Sequence, residues 1–212
     1  MRTDDLTDML ARNAAVEPRG QPARWWGAAV AGASIVSVVA MMGWLGVQPR
    51  LAQMLDNPQW WGKAGFGLAM AIIGLAAVVR LGRPGQGRLS LVWALGPLLL
   101  LWVVAFGQLA AAPEAARIGL VLGHTWQGCP MRVATLSVPG FLAAFWVLRR
   151  MAPTRPVLAG AAAGLFAGGV GATVYAFHCP ELAPAFVGVW YVLGMAIPTA
   201  LGAAIGPRAL RW

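Results

Sequence analysis

Six long apolar runs alternate with short segments that carry most of the charged residues of the chain. A transmembrane helix needs about 20 consecutive, predominantly apolar residues, and each run is close to that length. We therefore predict an all-α membrane protein, with a cytoplasmic N-terminal segment in residues 1–24 and a six-helix transmembrane bundle in residues 25–212. The predicted spans lie near 25–47, 62–80, 89–112, 131–148, 156–177 and 185–206.

The basic residues between the runs are divided unequally between the two sides of the predicted bundle. Twelve of the 16 Lys and Arg residues lie before the first span, after the last, or in the segments that follow spans two and four. Because cytoplasmic loops are enriched in Lys and Arg, we predict a multi-pass membrane protein with both termini in the cytoplasm. Lys63 and Arg132 belong to the outer side, and we expect their long side chains to reach the membrane interface.

The composition narrows the range of partners. With 59% hydrophobic and 11% charged residues, the 212-residue chain is too apolar for a soluble globular domain, so a lipid bilayer is its expected environment. The formal net charge of +9 comes from basic residues that stand singly or in small groups. Since no soluble domain gathers them on one face, we expect no direct contact with nucleic acid.

All cysteine and histidine residues fall in two predicted outer loops, within "GHTWQGCPMR" and "AFHCPEL", and so converge on one membrane face. Two lone cysteines in an oxidising compartment most often form a structural disulfide. The other interpretation is a redox-responsive or metal-binding thiol pair. In the metal-binding case Cys129, Cys179, His178 and His124 would offer soft ligands to a thiophilic ion such as zinc or copper. We predict no other cofactor.

Two absences in the sequence argue against catalysis and transport. No CxxC pair is present, although dedicated thiol oxidoreductases commonly use one. The middle of each predicted span also lacks Asp, Glu, Lys, Arg and His, which ion-coupled transporters and proton pumps require. We therefore expect no enzyme, and a membrane thiol- or metal-handling redox protein is the alternative function.

Glycines recur at four-residue intervals in the last two predicted spans. Gly160, Gly164 and Gly168 form a stripe on the fifth, and Gly202 and Gly206 repeat it on the sixth. A helix face without side chains lets a neighbouring backbone approach closely. The pattern is typical of ordinary helix packing within a bundle.

The N-terminal segment predicts a short amphipathic helix from about residue 4 to residue 16, capped by a threonine and with acidic residues in its first turn. Such a helix is marginally stable alone in water, and its acidic residues disfavour anionic lipid. It is expected to dock on a partner protein or on the cytoplasmic loops of its own bundle. The residues that would meet such a partner are the apolar stripe of Leu6, Met9 and Leu10.

The order of these features resembles one protein family. "TDDL" at residues 3–6, ahead of six spans, "CP" at 129–130 and "HCPE" at 178–181 are similar to the negative-regulator-of-sigma-F family of inner-membrane anti-sigma factors. The resemblance implies that the protein holds an extracytoplasmic-function sigma factor inactive at the cytoplasmic face and releases it under stress. It also implies a location in a bacterial inner membrane, and it implies that Cys129 and Cys179 are sensor cysteines whose bonding changes in response to oxidant or metal. Thr3, Asp4, Asp5 and Leu6 match the N-terminal signature of the family, which assigns them to partner binding.

Overall fold

The computed structural model describes Thr3, Asp5 and residues 7–9, 21–83, 91–151 and 153–211. These residues form helices and loops without a β-strand, which confirms the predicted all-α class. The helices are α1 (Gln21–Trp44), α2 (Leu51–Leu55), α3 (Pro58–Leu81), α4 (Leu95–Ala111, after a 3-10 turn at Leu91–Ala94), α5 (Glu114–Leu122), α6 (Cys129–Leu136), α7 (Val138–Leu148), α8 (Pro156–Tyr175) and α9 (Pro184–Ala209, with a π-helical turn at Val187–Tyr191).

Within the described ranges, five helices are long and apolar enough to cross a membrane, or six if α6 and α7 together count as one broken span. The two meet at an angle of 41°. Pro139, the second residue of α7, has no backbone N–H and cannot donate the helical hydrogen bond that a continuous helix needs there. At the same bend the Ser137 hydroxyl donates to the carbonyl of Val133, four residues before it, at 2.7 Å. Each of the six predicted spans overlaps one of these helices or the bent pair.

Helix α8 is the centre of the bundle. It packs mainly on α9 and α3, and also on α6 and α7, so that most of its length is buried, whereas α4 is almost entirely exposed. As expected, a neighbouring helix packs closely against its predicted glycine stripe, and that helix is α9. A Cβ atom on Gly160 would collide with the backbone of Gly202, and one on Gly164 with the backbone of Pro198.

A second glycine contact on the opposite side of α8 was not predicted. A Cβ on Gly169 would collide with the backbone of Ala71 in α3, and a Cβ on Gly74 of α3 with the backbone of Phe166 in α8. The central helix is therefore in close backbone contact with two neighbours, one on each side.

One end of the bundle, which we call the cysteine end, comprises the loops at residues 45–57, 112–128 and 176–183. Hydrogen bonds between distant parts of the chain define it. The Gln48 N–H donates to the Phe177 carbonyl at 3.0 Å, and the Ala185 N–H donates to the Gln108 side chain at 3.5 Å.

The N-terminal residues that the structure describes are helical and exposed: Thr3, Asp5 and residues 7–9, which include Met9. The other predicted partner-binding residues lie outside the described residues. They are Asp4, Leu6 and Leu10.

Candidate functional site at the buried cysteine pair

The two cysteines lie in one buried cluster at the cysteine end. Cys129 is the first residue of α6, and Cys179 follows the end of α8 by four residues. Both are fully buried and belong to the same apolar cluster, and they are close enough to interact electrostatically. The structure holds them as two free thiols. Neither sulfur is accessible to solvent unless the surrounding loops move.

The segment at residues 176–183, which we call the cysteine loop, is held by donors from other elements. The Trp60 indole N–H, in the first turn of α3, donates to the Ala176 carbonyl at 3.3 Å. Trp60 is buried, and its ring packs edge-on against Phe177 at a centroid distance of 5.2 Å. Because buried backbone carbonyls need partners, the Trp60 bond supplies a donor to a carbonyl just after the end of α8, where regular helical hydrogen bonding stops.

Lys63 is the strongest of these anchors, and it corrects a prediction. Its ammonium donates to the carbonyl oxygens of Cys179 at 2.8 Å and Glu181 at 2.9 Å, and the residue is only 2% exposed. The expected extension to the membrane interface is therefore wrong. An ammonium carries three donors, and bonds from a charged donor offset part of the cost of burying it. Arg132, the other residue expected at the interface, is partly exposed.

Both tyrosines of the chain lie against the thiols. Tyr175, at the end of α8, and Tyr191, in the π-helical turn of α9, are fully buried with ring centroids 5.7 Å apart. The Tyr191 hydroxyl is near Cys179, without a hydrogen bond of good geometry. The Lys63 ammonium stands 6.0 Å from the Tyr191 ring centre. The sequence contains two tyrosines, and their scarcity is the one feature of the sequence that could have indicated a role at the site.

The histidines attach loops to one another and stand apart from the thiols. His178 Nδ1 lies 2.9 Å from the carbonyl oxygen of Gly46, in the loop after α1. The His124 side chain is 98% exposed, with Nδ1 3.6 Å from a Glu181 oxygen. Across the described residues, no three His, Cys, Asp or Glu side chains form a group that could hold a metal ion. The structure thus brings Cys129 and Cys179 together but not the four predicted ligands.

Glu181 joins the cysteine loop to the loop after α5. Its carboxylate accepts a 2.7 Å hydrogen bond from the backbone N–H of His124. The preceding residue, Gly123, has a φ of +55°, and a Cβ there would meet the Glu181 carboxylate at 2.7 Å. Glycine is therefore required both by the backbone conformation and by the approach of this carboxylate. No functional or structural role was predicted for Glu181 from the sequence.

The arrangement is suited to reversible thiol chemistry. Two neighbouring thiols can form a disulfide or share a thiophilic ion, and either change would tie the start of α6 to the cysteine loop. The loop is itself bonded to α3 through Lys63 and to the loop after α5 through Glu181. A change at the sulfurs would therefore affect several elements at once.

Comparison with known proteins identifies the family. The family described as "Negative regulator of sigma F" (NrsF) matches residues 10–212. The chain belongs to the NrsF family. It is similar, with 42% identity over 213 residues and full coverage of both chains, to the "Probable anti-sigma-F factor NrsF" of Azospira oryzae. It is also 38% identical over 216 residues, again with full coverage of both chains, to the "Anti-sigma-F factor NrsF" of Caulobacter vibrioides.

No solved structure matches the chain. Membership of the NrsF family confirms the resemblance seen in the sequence and the expectation of a regulatory, non-enzymatic protein. The two thiols and the residues that anchor them therefore belong to a regulator, and not to an active site.

Proposed function

We propose that this NrsF-family chain is a membrane-embedded anti-sigma factor. It holds an extracytoplasmic-function sigma factor at the cytoplasmic face and releases the factor when the Cys129–Cys179 pair is modified by oxidant or metal. The observation that carries the anti-sigma role is the full-length similarity to two proteins named as anti-sigma-F factors. The buried thiol pair supports the sensing role.

Membrane insertion is the first part of the proposal. The five or six apolar helices support it, and the asymmetry of Lys and Arg supports an inner-membrane orientation with both termini in the cytoplasm. In this orientation the cysteine end faces the periplasm, where thiols meet an oxidising environment. The bundle then has six spans, with α6 and α7 forming one of them.

The output is assigned to the N-terminal segment. Its described residues are exposed, as residues that bind a partner must be, and a helix of this length needs a partner to be stable. The sigma factor contacts the acidic first turn and the apolar stripe beside it. The residues concerned are Thr3, Asp4, Asp5, Leu6, Met9 and Leu10.

The input is a change in bonding at the sulfurs. On oxidation, Cys129 and Cys179 each lose a proton and one electron to a two-electron oxidant, and one S–S bond forms. Alternatively, both thiols lose their protons and bind a thiophilic metal ion. To move the sigma factor from mostly bound to mostly free, the two states must differ by about 5 kcal/mol in its affinity. Disulfide formation supplies about 2–4 kcal/mol in typical proteins, and metal binding can supply more.

A transcriptional reporter for the sigma factor tests input and output separately. The double variant Cys129→Ser/Cys179→Ser should fail to induce the reporter under thiol oxidant or thiophilic metal. Met131→Ser is the matched control, because it changes an exposed residue two positions from Cys129 and should respond normally. Deletion of residues 2–20 should activate the reporter without any challenge.

The results can contradict each half independently. Normal induction in the double-serine variant would refute thiol sensing even if the deletion is constitutively active. A silent deletion variant, with no sigma factor retained by the full-length protein during purification, would refute the anti-sigma role. A membrane thiol- or metal-handling redox protein would keep its thiol chemistry when residues 2–20 are removed and would retain no sigma factor.

A further inference from the structure

A groove of about 640 Å³ runs between α3, α4 and the beginning of α9. This volume is in the range of sites that bind small molecules, about 300–1,000 Å³. Its walls are almost wholly apolar, and Lys63 and Gln59 are the polar side chains among the residues that line it. The apolar walls include Phe66, Leu100, Val104 and Val187.

Glycines create the space in the groove. Gly62 and Gly65 of α3 and Gly96 of α4 line it, and a Cβ added to any of them would meet no atom within 4 Å. On the same helix α3, Gly67 and Gly74 face the opposite way and are in close contact with α8. The α3 glycines thus form two sets, one that packs helices together and one that leaves a space open.

Along α3, the groove is about as deep as one leaflet of a bilayer. Its α3 wall extends from Pro58, the first residue of the helix, to Ala69. At 1.5 Å per residue, these 11 steps cover about 16 Å, close to half of the ~30 Å hydrocarbon core. The groove therefore begins at the cysteine end, and on its other side the α4 wall continues from Val104 back to Gly96, the second residue of that helix.

The wall formed by α4 is attached to the bundle mainly through its C-terminal part. Its strongest contacts are with the first residues of α9, where Gln108 accepts the Ala185 N–H. It makes few contacts with α3, and Leu99, Leu100 and Val103 are more than 60% exposed. A space between two apolar helices that barely touch is expected to be filled from the bilayer around them, since no water-stabilised alternative exists at this depth.

We propose that this groove binds one acyl chain of a membrane phospholipid from the leaflet at the cysteine end. The apolar walls and the one-leaflet depth fit a single extended hydrocarbon chain, with its headgroup outside the mouth near Gln59. Lys63 connects this site to the cysteine loop. Two of its three ammonium donors are used by the carbonyls of Cys179 and Glu181, so the side chain that lines the groove also holds the loop. The proposal rests on membrane insertion but not on any sigma factor.

Photo-crosslinking in vesicles tests the site. The full-length protein is reconstituted in phosphatidylethanolamine and phosphatidylglycerol containing a phospholipid with a diazirine on one acyl chain, and labelled peptides are mapped by mass spectrometry. Gly65→Leu and Gly96→Leu fill the groove from opposite walls without backbone collisions. Each should reduce labelling of the groove peptides of α3 and α4 about tenfold, the factor that accompanies ~1.4 kcal/mol of lost binding energy.

Gly107→Leu is the matched control, because it adds the same side chain to an exposed part of α4 outside the groove. It should leave groove labelling unchanged. Equal labelling in all variants, or an equal loss in Gly107→Leu, would overturn the acyl-chain site. Recovery of an isoprenoid quinone in place of phospholipid with the purified protein would also overturn it. Flotation of the protein with the vesicles is measured first. A protein that does not float with them would refute membrane insertion, and the groove site would be refuted with it.

Discussion

The Lys63 ammonium lies 2.8 Å from the carbonyl oxygen of Cys179. This bond joins α3 to the cysteine loop through the backbone of the residue whose sulfur is the proposed sensor. Because the bond does not involve the sulfur, a change in what the thiol is bonded to leaves both the donor and the acceptor of this bond intact. The position of Cys179 relative to α3 and its bonding to Cys129 on α6 are therefore controlled by different atoms.

Replacing Lys63 tests this anchor. Lys63→Met keeps much of the side-chain volume but leaves the carbonyls of Cys179 and Glu181 without their donor, at a cost of about 1–3 kcal/mol for each buried group left unpaired. We expect a lower melting temperature in detergent and faster hydrogen exchange in residues 176–183. Arg117→Met is the control, since it removes a bond to the Ala112 carbonyl at an exposed position. An equal effect of both substitutions would contradict the anchoring role.

The burial of both thiols predicts their reactivity. A membrane-impermeant maleimide should label Cys129 and Cys179 slowly in the native protein and rapidly after unfolding, because every ~1.4 kcal/mol of opening free energy slows labelling about tenfold. A cysteine placed at Ile118, which is 70% exposed, in a Cys129→Ser/Cys179→Ser background is the reference for free access. Native thiols that react as fast as this reference would show that the pair is not buried in the native protein.

The close contact between α8 and α9 predicts opposite effects of one substitution at two glycines. Gly164→Ala places a methyl group against the Pro198 backbone, and overpacking of this kind costs about 1–3 kcal/mol. Gly32→Ala adds the same methyl group on α1 where it meets nothing, and alanine stabilises a helix interior by up to about 1 kcal/mol over glycine. Melting in detergent should therefore fall for the first and stay or rise for the second. A stable Gly164→Ala variant would contradict the packing.

The carboxylate of Glu181 predicts a local effect on the loop after α5. Glu181→Ala removes the acceptor for the His124 N–H, and hydrogen bonds to charged groups contribute about 1.5–3 kcal/mol. Hydrogen exchange in residues 122–126 should accelerate. Glu181→Gln retains an acceptor oxygen and should show a smaller change. If both variants exchange like the wild type, the 2.7 Å bond does not hold the loop.

The helices were predictable because a membrane leaves few alternatives. An apolar run of about 20 residues bounded by charges has to be a helix, and the predicted spans 62–80 and 156–177 correspond to α3, Pro58–Leu81, and α8, Pro156–Tyr175. The glycine stripe from Gly160 to Gly168 was readable for a similar reason, since its four-residue spacing fixes one helix face. Which helices pack against each other could not be predicted from the sequence, so the second close contact, at Gly169, was missed.

The site was harder to predict than the helices. Proximity of Cys129 and Cys179 followed from their shared side of the predicted membrane, but their anchors come from sequence-distant elements. Lys63 lies 116 residues before Cys179, and sequence alone placed it at the interface because nothing local reveals a carbonyl in need of a donor. The π-helical turn at Val187–Tyr191 depends on tertiary packing, and no local pattern in its residues predicted it.

Helix α8 has a mechanical consequence. Its 20 residues form a rod of about 30 Å, clamped on two sides at places where a single added carbon would strike a neighbouring backbone. Sideways displacement is blocked, and turning would bring side chains such as Leu165 against those backbones, so α8 can shift only together with its two neighbours. Movement of the cysteine loop at the C-terminal end of α8 would then shift the whole helix, including Pro156 at its N-terminal end. Pro156 lies next in sequence to Arg155 and close to Arg149 and Arg150.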